Sequence, residues 1–216
     1  MQIVGIDLSG ISNSRDTCLV YFQEHTGRLT RLGYVHGADD QRILETVAQL
    51  APDDPIVVGI DAPLSYNISG SDRPGDRALR QAIRAAGMRS GSVMTPTMPR
   101  MVYLTLRGLG VCRCLESLRT RQRSIQIVEV HPGATMALRG APINAVLELK
   151  RDIEAQRQLL LWLEAEGLDG VMDIPTWSDH YVAACAAALA AWKWCRNETV
   201  WCTPAQPPYH PYDFAC

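Results

Sequence analysis

The chain has 216 residues, 47% of them hydrophobic and 20% charged. That is enough for one globular domain with a buried core, and it excludes collagen, a long coiled coil and wholesale disorder. The longest stretch without a polar side chain, residues 182–192, is far shorter than the ~20 residues of a membrane helix, so no membrane partner is expected. A formal net charge of −2 argues against a dedicated nucleic-acid binder.

Residues 2–8 (QIVGIDL) form an apolar run ending at an acid and predict a buried strand. The opening MQIVGIDLSG lacks a basic region, so no signal peptide is expected. Residues 17–24 and 29–35 flank His25-Thr26-Gly27-Arg28 and predict a hairpin. Apolar spacing predicts a helix over 39–50, broken by the acids and prolines of 51–55. Residues 56–61 (IVVGID) predict a second apolar strand ending at an acid. A loop at 66–75 precedes a helix over 76–86, with Gly87 as its stop. Residues 88–99 read as a loop. Two short helices are expected over 100–121, split at Gly108-Leu109-Gly110. Residues 125–130 (IQIVEV) predict a third apolar strand, closed by His131-Pro132-Gly133. Helices follow over 151–166 and 178–194, the latter Ala-rich. The segment 203–216 is Pro-rich and is expected to run over the surface as a tail. Of the five tryptophans, Trp192, Trp194 and Trp201 are expected in core and interface rather than as base-stacking platforms.

Basic residues are unevenly placed. Nineteen of the 21 are Arg; only Lys150 and Lys193 are Lys. Between Arg73 and Arg123 there are eleven Arg against two acids, Asp76 and Glu116. Arg73, Arg77, Arg80 and Arg84 fall at helical spacing and form one stripe. A planar guanidinium holds phosphate bidentately, so the stripe is a candidate phosphate rail; a solvated or salt-bridged face is the other reading. The seven cysteines form no disulfide framework, and reduced thiols in a cytoplasm are expected.

Three acids close apolar strands: Asp7, Asp61 and Glu129. A fourth, Asp179, opens the last long helix. A carboxylate at the end of a buried strand is costly unless a cation or a hydrogen-bond donor serves it. Several converging on one sheet edge repel one another unless a divalent ion neutralises them. Oxygen ligands without Cys or His select Mg²⁺ or Mn²⁺, and such sites hydrolyse phosphodiesters. Each acid also has a structural role open to it. Asp7 and Asp61 are placed to close turns, Glu129 to pair with an Arg, and Asp179 to complete a capping box with Thr176 as N-cap.

The order of elements resembles the ribonuclease H-like fold: α/β, with a three-stranded antiparallel unit, then parallel strands, flanking helices and a helical Arg-rich insertion over 66–123. Within it the chain resembles a family of predicted nucleases catalogued as domain of unknown function 429. The matching pieces are GIDLS at 5–9, GIDAPLS at 59–65, Arg73-x-x-x-Arg77-x-x-Arg80, TPTMPR at 95–100, EVHPGA at 129–134 and SDHYVAACAAALAA at 178–191.

The resemblance implies that Asp7, Asp61 and Asp179 are metal ligands and that Glu129 joins them in catalysis, as ligand or positioning group. It implies Mg²⁺ or Mn²⁺ as cofactor and nucleic acid, DNA or RNA, as substrate. Where some related resolvases place a second acid after the helix acid, this chain has His180 and Tyr181. Arg100, with Thr95 and Thr97 beside it, is the favoured phosphate contact. His131 is a candidate for substrate binding or leaving-group protonation, and His180 for proton transfer. Two other functions stand beside the metal-dependent nuclease: a non-catalytic binding or assembly protein, and an actin-like phosphotransferase, which would need a second such domain. The oligomeric state is open, a homodimer included.

Overall fold

The computed structural model describes residues 1–50 and 54–216. Its first three strands are β1 (Gln2–Asp7), β2 (Cys18–His25) and β3 (Arg28–His36). β2 and β3 are joined by a two-residue turn in which Thr26 and Gly27 both have positive φ, at 50° and 78°. Such turns match the twist of antiparallel strands and favour glycine. Helix α1 (Asp40–Gln49) leads towards β4 (Ile56–Asp61). Of the breaking segment expected at 51–55, residues 51–53 lie outside the described residues.

Next come α2 (Pro74–Ala85), α3 (Pro99–Ser117), β5 (Ile125–Val130), α4 (Pro132–Leu138), α5 (Ile143–Glu148), α6 (Ile153–Ala165), β6 (Leu168–Asp169) and α7 (Asp179–Cys195). Two short strands, β7 (Cys202–Thr203) and β8 (Phe214–Ala215), complete the set. The described strands form one sheet in the order β6-β3-β2-β1-β4-β5-β8-β7. β2 is antiparallel to β1 and β3, whereas β1, β4 and β5 run parallel. This mixed sheet, with helices on both faces, is the ribonuclease H-like arrangement. Among the described residues no helix is long and apolar enough to cross a membrane.

The central strands are buried on both sides, which is why they read as unbroken apolar runs. Val4, Ile6, Val58 and Ile60 pack with Ile43 and Val47 of α1 and Val111 and Leu115 of α3. Ile3, Val57 and Val128 pack on the other face with α7, α6 and α4. Gly5 and Gly59 are register partners beneath α7. A Cβ on Gly5 would stand 2.0 Å from the Ala184 carbonyl oxygen, and one on Gly59 would stand 2.5 Å from that of Ala187. Two facing glycines and the alanine face of α7 therefore let helix and sheet meet at backbone distance. That contact fixes where α7 begins relative to the ends of β1 and β4.

Several expectations are corrected. α3 is one 19-residue helix rather than two short ones. Gly108 does not break it; the residue lets the helix press against Pro63, whose carbonyl oxygen would lie 3.1 Å from an added Cβ. His131-Pro132-Gly133 opens helix α4 instead of merely closing the strand, and α5 was not anticipated. The N-cap of α7 is Ser178, whose hydroxyl accepts from the Tyr181 amide at 3.2 Å, so Thr176 and Asp179 form no capping box. The proline-rich segment does not simply wander: β8 pairs in parallel with β5, and Phe214, Ala215 and Cys216 are buried.

Candidate active site

Asp7 and Asp61 are register partners at the carboxyl ends of adjacent parallel strands. Ligand sites of open α/β sheets lie at that edge. Neighbouring parallel strands place like residues side by side, so repeating Gly-Ile-Asp on β1 and β4 brings two carboxylates together. Burial pushes the Asp61 carboxyl well above the usual carboxylate range, and the adjacent Asp7 raises it further. Two adjacent carboxylates repel one another unless a proton or a cation relieves them.

A cleft of about 540 Å³ opens over this edge. Asp7, Asp61, Asp179, His180, Arg100 and Lys150 all line it. Asp179 occupies the first turn of α7, where the helix dipole favours an acid, and it is not engaged in capping. Nδ1 of His180 lies 2.7 Å from Oδ2 of Asp7 and its Nε2 lies 3.9 Å from Oδ1 of Asp179. The hydrogen bond to Asp7 holds the imidazole pKa above its ordinary value.

The remaining predicted residues separate into those with access to the cleft and those spent on structure. Glu129 belongs to the second kind, although it borders the cleft. It is buried, and Arg73 clasps it as a fork, with Nη2 2.5 Å from Oε1 and Nη1 2.7 Å from Oε2. Oε2 also accepts from the Leu64 amide at 2.9 Å. Arg73 in turn donates to Asp76 at 2.7 Å and to the Ser65 hydroxyl at 3.0 Å. Arg73 is the N-cap of α2, not part of a helical stripe. It is a buried tie between the insertion and β5, and Glu129 is its anchor.

The rest of the stripe does not line the cleft. Arg80 pairs with Asp72 and donates to the Val93 carbonyl at 2.8 Å. With the Thr95 hydroxyl it holds the Asp72 carboxyl down to about 2. Thr97 donates to the Gly70 carbonyl at 2.6 Å. Thr95, Thr97 and Arg80 thus fasten the loop before α2. Arg77 and Arg84 are exposed, with one long bond each, to the Asp72 carbonyl and the Ser90 hydroxyl.

His131 is likewise occupied. Its Nδ1 accepts from the Ala134 amide at 3.1 Å, which leaves Nε2 to donate to the Ser92 carbonyl at 3.2 Å. Burial lowers its pKa, so it is a neutral cap of α4. Arg100 is exposed and lines the cleft.

Two contributors escaped sequence reasoning. Lys150, on the turn between α5 and α6, lines the cleft near enough for its charge to act on Asp61. Its signal was compositional, as one of two lysines in an arginine-rich chain. Arg107 is buried and donates to the Ser9 and Ala38 carbonyls at 2.9 Å, to Thr17 and to Asp40. It fixes the turn that follows Asp7. Its signal was an arginine in phase with the apolar face of α3.

Among the described residues, no group of three or more His, Cys, Asp or Glu side chains is arranged to hold a metal ion. The donor chemistry nevertheless fits a hard divalent cation at Asp7 and Asp61. Mg²⁺ is commonly held by one or two carboxylates, with water and substrate phosphates completing the shell. Asp179 lies on the wall of the same cleft.

The chain belongs to the family described as "Protein of unknown function (DUF429)", whose profile matches residues 5–209. No curated protein and no solved structure matches it.

Proposed function

We propose that the protein is a metal-dependent phosphodiesterase acting on nucleic acid. One observation carries this reading: two carboxylates are placed in register at one sheet edge, where burial and then the neighbouring Asp7 push the Asp61 carboxyl up. Asp7 and Asp61 would hold Mg²⁺ or Mn²⁺, with Asp179 completing the protein's share of the ligands. Such an ion would supply Lewis-acid polarisation of the phosphate and an acidified water. Arg100 neutralises phosphate charge at the cleft. His180 is oriented by Asp7 and is the nearest group able to carry a proton to or from the reacting oxygens. Arg73 and Glu129 keep the floor of the cleft rigid. Seven free thiols suit a reducing cytoplasm.

The test is hydrolysis of a panel of single- and double-stranded DNA and RNA in Mg²⁺ or Mn²⁺. Wild type cleaves at least one substrate, EDTA stops it, and Asp7→Asn is inactive while folded. A fully active Asp7→Asn removes the carboxylate pair from the mechanism. The second reading, a binding protein without catalysis, is favoured by the His180 contact that already occupies one Asp7 oxygen. Nucleic-acid binding without cleavage under any divalent ion would establish it.

A further inference from the structure

Besides Asp7, Asp61 and Asp179, the cleft is lined by two exposed cations. Arg100, near the start of α3, and Lys150, between α5 and α6, both line this one cavity. Both are exposed, and among the described residues neither makes an ion pair or a side-chain hydrogen bond. The neighbouring arginines are committed elsewhere: Arg73 to Glu129 and Asp76, Arg80 to Asp72, Arg107 to Asp40 and the Ser9 turn.

A double helix is gripped by a row of cations following its phosphates. The expected row on α2 is reduced to exposed Arg77 and Arg84, because Arg73 is buried and Arg80 is tied to a loop. What remains is a cavity of about 540 Å³, within the size range of a small-molecule site, with one pair of free cations. Bases inside a duplex cannot enter such a cavity without leaving the stack.

Resting on the phosphodiesterase reading, we propose that the cleft admits one nucleotide unit of a single strand, its phosphate held between Arg100 and Lys150. Duplex is then a poor ligand, and the protein makes few phosphate contacts outside the cleft.

The probes are thymidine 5′-monophosphate, its p-nitrophenyl ester, a 20-nucleotide oligo(dT) and a 20-base-pair duplex. Binding is measured by calorimetry in Mn²⁺ across a salt series, and hydrolysis is followed separately. The mononucleotide is expected to bind, and Arg100→Ala and Lys150→Ala are each expected to weaken it about tenfold, as for loss of one charged hydrogen bond. For oligo(dT) the slope of log affinity against log salt is expected to be no steeper than about −1.4, from roughly −0.7 per phosphate contact on a single strand. Circular dichroism checks that both surface variants fold.

Duplex binding tighter than the single strand, a slope of about −4 or steeper, or indifference to both substitutions overturns the inference. If duplex is cleaved in Mn²⁺, the phosphodiesterase reading survives and the one-nucleotide cleft does not. If no probe is bound or hydrolysed, both fall.

Discussion

Replacing Arg73 by Ala should be among the most damaging single changes in the molecule. The guanidinium is 7% exposed, and its partners Asp76 and Glu129 are 1% and 5% exposed. Removing it leaves two buried carboxylates facing a void. Breaking a buried ion pair by deleting one partner costs about 3–5 kcal/mol. Each acid keeps one backbone donor, the Leu64 amide for Glu129 and the Arg73 amide for Asp76, both at 2.9 Å. Those bonds survive the substitution and keep the loss within that range. Against a total stability of about 5–15 kcal/mol, this is a large fraction. For a chain of this size, Tm should fall by roughly 6–20 °C. Urea unfolding followed by circular dichroism measures it. Arg73→Lys should lie between wild type and Arg73→Ala, because an ammonium keeps the charge but cannot fork onto both acids. A loss under about 1 kcal/mol for Arg73→Ala would refute the structural assignment and return Arg73 to substrate binding.

Three further outcomes follow. Gly5→Ala forces a Cβ to within 2.0 Å of the Ala184 backbone oxygen, so it should cost about 3 kcal/mol or more; a Tm within 2 °C of wild type would contradict the backbone-distance contact. Asp61→Asn removes one of two repelling, partly buried carboxylates, so without metal it should raise Tm while abolishing any stabilisation by Mn²⁺; an unchanged Mn²⁺ response would remove Asp61 from the ligand set. Asp72 has a folded pKa of about 2, below its unfolded value of about 3.9. Its contribution is therefore present above the unfolded value and lost as pH falls through about 2. The Tm gap between wild type and Asp72→Asn should close between about pH 4 and pH 2, and a gap constant over that window would show that the Arg80 pair adds nothing.

The strands were legible because each is buried on both faces, so apolar runs alone marked β1, β4 and β5. The acids ending those runs located Asp7 and Asp61, since parallel register turns repeated Gly-Ile-Asp into neighbouring carboxylates. The role of Glu129 was not legible to the same degree. Its fate depends on Arg73, 56 residues away, and sequence spacing does not say which of eleven arginines folds inward. The stripe of Arg73, Arg77, Arg80 and Arg84 looked continuous because helical spacing was extended through the N-cap. Gly108 was misread because glycine signals both a break and a close approach. The proline-rich end reads as a tail because β8 spans only two residues, too few for a periodic pattern to show.

The central claim is a carboxylate-held divalent ion, and calorimetric titration of Mn²⁺ into wild type and Asp7→Asn tests it most directly. Wild type should bind with micromolar to sub-millimolar affinity, and Asp7→Asn should lose that binding while keeping its circular dichroism spectrum. Equal binding by both proteins, or none by wild type with or without thymidine 5′-monophosphate present, would contradict it.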